Sequence, residues 1–144
     1  MPQIEKSALV PFSAQQMYQL VNDVEQYSEF LPACQSAVID SQSEAEMVAT
    51  LSVAAAGIQK SFTTKNTLQP YHQIDMRLEQ GPFKYLHGVW QFKKLDEQAC
   101  KVEFKLDFEF SNKLAAIAFG GVFSQFAESM VQAFIQRAKT LAQG

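Results

Sequence analysis

The sequence predicts an α+β fold in which an antiparallel sheet of about seven strands wraps around a long C-terminal helix. Two short helices are expected after the first strand. Three observations carry this. Residues Phe119, Phe123, Phe126, Met130, Phe134, Ala138 and Leu141 recur at steps of three and four, the spacing that lines one face of a helix. From Gln35 to Phe110 the apolar period changes to two, the signature of strands with one face in water. Turn-forming residues then divide that stretch at 40–45, 54–57, 69–72, 81–82 and 96–99.

Ile4 to Val10 reads as the first strand, stopped by Pro11. Ser13 and Gln16 form a capping box that starts a helix with Met17, Leu20 and Val21 on one face. Asn22 and Asp23 break it, and Asp23 is placed to cap a second short helix bearing Val24, Tyr27 and Phe30 before Pro32. Met47, Ala49, Leu51 and Val53 then alternate with more polar neighbours, as do Ile74, Met76 and Leu78. The clearest strand sets Cys100, Val102, Phe104, Leu106, Phe108 and Phe110 against Lys101, Glu103, Lys105, Asp107 and Glu109. Six strands in hairpin order make a meander with one apolar face. The helix from Ser111 to Gln143 covers it, with Ser111 or Asn112 as cap and Arg137 and Lys139 near its C-terminal end. At about 1.5 Å per residue it would run about 45 Å.

The 144 residues are expected to form one domain, spanning 1–144. A net charge of −3 and a pI near 5.3 argue against a protein that coats nucleic acid, DNA included. Charge is uneven, however: residues 1–59 hold one basic residue against seven acidic, and residues 60–144 hold eleven against eight. The N-terminus does not read as a signal peptide, and the apolar run from Leu114 to Phe123 is about half a membrane span. No transmembrane segment is expected, although a peripheral membrane contact is compatible with the sequence. Cys34 and Cys100 are expected to be free thiols in a cytoplasmic protein.

No catalytic constellation is visible. His72 and His87 have no metal-ligand spacing around them, and none of the nucleophile or phosphate-binding motifs occurs. His87, between Tyr85 and Trp90, reads as an ordinary strand histidine rather than a general base, and Asp107 and Glu109 as solvated charges. What remains is an aromatic surplus, twelve phenylalanines among it. Most of it fills a core. A curved sheet and a long helix also leave room for an apolar cavity.

YSEFLPAC from Tyr27, SFTTKN from Ser61, GPFKYLHGVWQF from Gly81 and CKVEFKLDFEFSNKL from Cys100 resemble, in order, the coenzyme Q-binding, polyketide cyclase-like branch of the START-related superfamily. The similarity is strongest to its bacterial ribosome association toxin members and extends over the whole chain. AAAGI from Ala54 also resembles the family's loop there. The resemblance implies a helix-grip (START/Bet v 1-like) fold around a cavity. It implies non-enzymatic binding of ubiquinone or a related isoprenoid lipid in support of respiration, with no required cofactor. Alternatively it implies association with the large ribosomal subunit that blocks subunit joining.

Expected cavity-lining residues are Tyr27, Phe30, Phe83, Tyr85 and Trp90 from the first part of the chain, and Phe104, Phe119, Phe123, Phe126 and Met130 from the last. Lys84, Lys93 and Lys94 are the candidate ribosome contacts. Gly120 and Gly121 interrupt the long helix. Three readings compete for them: a positive φ that ends one helix, close packing on the 54–57 turn, or a hinge for a lid running from Asn112 to Phe119.

Overall fold

A computed structural model describes residues 3–55 and 57–143, with the backbone alone at Gln143. The chain runs β1 (Gln3–Val10), α1 (Ala14–Asn22), a 3₁₀ turn (Val24–Glu29), β2 (Cys34–Gln42), β3 (Glu46–Ala55), β4 (Ile58–Gln69), β5 (Gln73–Gln80), β6 (Phe83–Asp96), β7 (Ala99–Phe110) and α2 (Lys113–Gln143). The strands form one antiparallel sheet in the order β1-β7-β6-β5-β4-β3-β2. This is the expected helix-grip arrangement. The turns fall where the breaker residues stand, although the 54–57 turn and the AAAGI loop include Ala56, which lies outside the described residues.

Period-two burial gives the sheet one apolar face. Met47, Ala49, Leu51 and Val53 of β3 are buried, as are Cys100, Val102, Phe104, Leu106 and Phe108 of β7. Phe119, Phe123, Phe126 and Phe134 of α2 close over that face, none more than 2% exposed. Register shifts in β2, between Thr63 and Thr64, and between Phe83 and Tyr85 supply bulges that bend the strands around the helix. Gly81, at φ 153°, closes the β5–β6 turn. A Cβ there would lie 2.7 Å from that of Phe62, so the turn has room for no other residue.

Local signals behave as expected at α1: Ser13 Oγ accepts from the Gln16 N–H at 3.1 Å, and Gln16 Oε1 accepts from the Ser13 N–H at 2.8 Å. Three details differ, and one alternative is resolved. The segment after Asp23 is a 3₁₀ turn rather than an α-helix, and the Asp23 side chain makes no capping bond. Pro32 restricts the residue before it, leaving too little chain for α-helix propagation. Between the two candidate caps of α2, Asn112 does the work: its Oδ1 accepts from the Ala115 N–H at 2.8 Å, while the Ser111 N–H donates to Pro82 O at 3.0 Å. Arg137 and Lys139 stop short of the last helical turn, which holds no basic residue. Arg137 instead lies over the Phe30 ring at 5.0 Å and meets Glu29 at 3.5 Å. Leu141, finally, is 56% exposed, at the rim of an open groove between the end of α2 and α1.

Candidate functional site

Between the sheet and the middle of α2 lies a cavity of about 40 Å³, room for about three waters. Its floor is the concave sheet face. Ala49 and Leu51, then Phe62, Thr64 and Asn66, then Phe104 and Leu106 arrive two residues apart on their strands, so each set points the same way. Phe123, Phe126, Ala127 and Met130 form the roof at helical spacing, and Val24 and Tyr27 of the 3₁₀ turn close one end. Gly88 shapes the floor from below. A Cβ there would come within 2.7 Å of Met76 Cε and 3.1 Å of Leu106 Cδ1, so its absence lets both lining side chains lie down.

The lining is apolar except at three places. Thr64 and Asn66, each 5% exposed, are joined by a 2.8 Å bond from the threonine hydroxyl to the amide oxygen. That bond occupies the Asn66 amide oxygen, so the amide N–H groups are the donors this pair can offer. The Tyr27 hydroxyl donates to the carbonyl of Val21, and burial raises its pKa well above the ordinary value, so it stays neutral. No carboxylate, histidine, lysine or arginine is among the described lining residues. Such a wall can hold an uncharged apolar molecule and donate to one acceptor on it.

A family described as polyketide cyclase / dehydrase and lipid transport matches residues 10–135. The chain belongs to this family. Among curated proteins it is similar to a ribosome association toxin of Vibrio cholerae, with 55% identity over 139 residues covering 96% of both chains. It is also similar to a mitochondrial coenzyme Q-binding protein of Drosophila melanogaster, with 30% identity over 138 residues, 93% of this chain and 57% of that one. Among solved structures, an aromatase/cyclase from a Streptomyces species superposes with a TM-score of 0.83 at 19% identity, over 96% of this chain and 93% of that one. The last similarity is one of fold alone.

In this polyketide cyclase and lipid-transport family member, Tyr27, Phe104, Phe123, Phe126 and Met130 are among the residues that line the cavity. The other five candidates are not. Trp90 is fully enclosed behind Phe104, stacked at 4.3 Å, and its indole N–H finds no acceptor among the described residues. Phe83 and Phe119 belong to an aromatic cluster beside the cavity, where Phe83 packs on Phe123 at 4.8 Å and on Phe110 at 5.1 Å. Phe30 packs on Phe134 at 5.4 Å beneath Arg137. Tyr85 sits on the outer face with His87, because the bulge after Phe83 reverses the alternation while Leu86 and Trp90 stay buried. His87 is there bonded to Asp75 at 3.0 Å, away from the cavity.

Thr64 and Asn66 were not foreseen. Their signal is nevertheless present: in the run Phe62, Thr64, Asn66, Leu68, two polar residues occupy the apolar parity of a strand.

The outer-face lysines are mostly paired. Lys93 meets Glu103 at 2.8 Å and holds its carboxyl below the usual range, with Lys101 also within 3.5 Å. Lys84 meets Glu109 at 3.6 Å and Lys105 meets Glu5 at 3.5 Å. Lys94 is exposed and has no ion-pair partner among the described residues. Lys84 stands at the opposite end of β6 from Lys93 and Lys94, so the three candidate contacts do not form one patch, and of them Lys94 alone lacks an ion-pair partner among the described residues.

Gly120 and Gly121 lie within continuous helix, and neither has positive φ. A Cβ at Gly120 would meet Phe110 at an ordinary 3.6 Å, and one at Gly121 would meet nothing within 4 Å. Among the described residues neither a helix end nor close packing accounts for the pair; Ala56 of the 54–57 turn lies outside them.

Proposed function

We propose that the protein associates with the large ribosomal subunit and blocks its joining to the small one, acting in the cytoplasm as an inhibitor of translation initiation. One observation carries this reading: the 55% identity to a protein named a ribosome association toxin covers 96% of each chain. The test is sedimentation of the purified protein with isolated large and small subunits, followed by a joining assay. The protein is expected to travel with large subunits and to lower the yield of joined particles. Free protein at the top of the gradient and an unchanged yield would sink the reading.

The cavity favours a second activity in the same molecule, the non-catalytic binding of ubiquinone or a related isoprenoid lipid. Its support is the buried Thr64–Asn66 pair, a donor in an otherwise apolar wall suited to a quinone carbonyl. The protein needs no cofactor in this reading, and the ligand is cargo. At about 40 Å³ the cavity is closed to an isoprenoid chain, so uptake requires α2 to move. Native mass spectrometry of protein purified without detergent is expected to find one quinone per chain. Protein that stays empty when offered an excess of ubiquinone would count against it.

A further inference from the structure

The outward stripe of α2 changes chemistry along its length. Gln125, Glu128, Gln132 and Gln136 face water over the later turns, as a helix on a soluble domain should. The same stripe in the first turns carries Leu114, 78% exposed, and Ile117, 81% exposed, followed by exposed Ala118 and Gly121. By length and composition alone α2 could cross a membrane, but its phenylalanine face is sealed against the sheet, so only this first part is free to meet an apolar phase. The meander order puts the β3–β4 and β5–β6 turns at the same end of the molecule. Half-buried Ile58 and Pro82 stand on those turns, and the Ser111 N–H bond to Pro82 O fastens the start of α2 to one of them. Lys113 and Lys60 lie at this end with no ion-pair partner among the described residues.

We propose that this end of the molecule docks on the surface of a bilayer containing anionic lipid, inserting Leu114 and Ile117 while Lys113 and Lys60 meet the headgroups. Three arguments select that occupant. Two protruding aliphatic side chains and small neighbours expose far less than the roughly 800 Å² per partner that a stable protein interface buries, which disfavours a second copy. Leucine and isoleucine offer nothing to RNA phosphates or bases, which recruit cations and aromatics. Aliphatic side chains flanked by free lysines suit an anionic membrane surface, where both contribute. The patch also adjoins the Phe119–Phe123 contact that leads to the cavity roof. The inference requires neither the ribosome nor a bound quinone.

The experiment is co-sedimentation of the whole protein with vesicles of phosphatidylcholine, with and without phosphatidylglycerol. The parent is expected to pellet with the phosphatidylglycerol vesicles and much less with the neutral ones. Leu114→Asp/Ile117→Asp should lose at least tenfold in partitioning while melting with the parent, since both side chains are exposed. Lys113→Glu should weaken binding to the anionic vesicles only. A parent protein left in the supernatant, or a double variant that pellets equally well, overturns the proposal. So does a concentration-dependent dimer in light scattering that the double variant abolishes, which would give the patch to a second copy.

Discussion

At Asn66 the polar chemistry of the cavity rests on one side chain and its neighbour. Removing only one partner of a buried pair leaves the other unsatisfied, at about 1–3 kcal/mol, whereas replacing both can be nearly neutral. Thr64→Val/Asn66→Leu is therefore expected to melt close to the parent yet bind ubiquinone about tenfold more weakly, the loss of about 1.4 kcal/mol. Titration of ubiquinone fluorescence quenching beside a denaturant melt would show it, and unchanged affinity would remove Asn66 from the site.

The cysteines make a second residue-scale case. Burial pushes the Cys34 thiol up to about 11 from 9.0, and Cys100 is raised by the same cause. The folded state thus holds these protons more tightly than the unfolded chain. The Cys34 contribution to stability is complete below pH 9 and falls as pH rises toward 11, and that of Cys100 falls in the same direction. Near neutral pH both thiols should react with a disulfide reagent only after denaturant is added; rapid labelling of native protein would contradict their burial. The cysteines were legible in the sequence as free thiols, but Tyr85 could not be placed, because one bulged residue reverses every later side chain. No pattern of residue types announces a bulge.

On the scale of elements, α2 combines a rigid part and a weak one. It is held by the sheet through Phe119 and again from Phe123 onward, and through Arg137 by the 3₁₀ turn. Between Phe119 and Phe123, two adjacent glycines sit in helical conformation with room for a side chain. Each costs about 1 kcal/mol relative to alanine. Gly120→Ala/Gly121→Ala should accordingly be more stable than the parent by about 1–2 kcal/mol. If the pair is a hinge for the segment before it, uptake and release of a fluorescent isoprenoid should slow in the same variant. Stopped-flow traces that overlay on the parent's would leave the glycines without a role in ligand entry. Gly88→Ala asks the complementary question, since it would push Met76 and Leu106 into the cavity. Diminished quinone capacity with a preserved fold is the expected result. The elements themselves were readable because strand and helix periods are strong over 10–14 and 31 residues. The 3₁₀ turn was not, for six residues hold too few periods to separate it from an α-helix.

For the whole molecule, charge decides how a ribosome would be met. Ion pairs neutralise most outer-face lysines, so only a few are free to displace counterions from RNA. Lys94→Glu is expected to weaken co-sedimentation with large subunits and to reduce the slope of log affinity against log salt by about 1. Lys84→Gln should do less. If both variants behave like the parent at every salt concentration, contact is made elsewhere. The pairing of β1 with β7 has a different consequence, for the timing of birth rather than for binding. Residues near Gln3 find their partners only at Asp107, and the helix that covers the sheet is translated after every strand. A nascent chain therefore carries a bare apolar face until α2 has left the exit tunnel, and a protein proposed to act on ribosomes becomes competent only after the one that made it has finished with those residues.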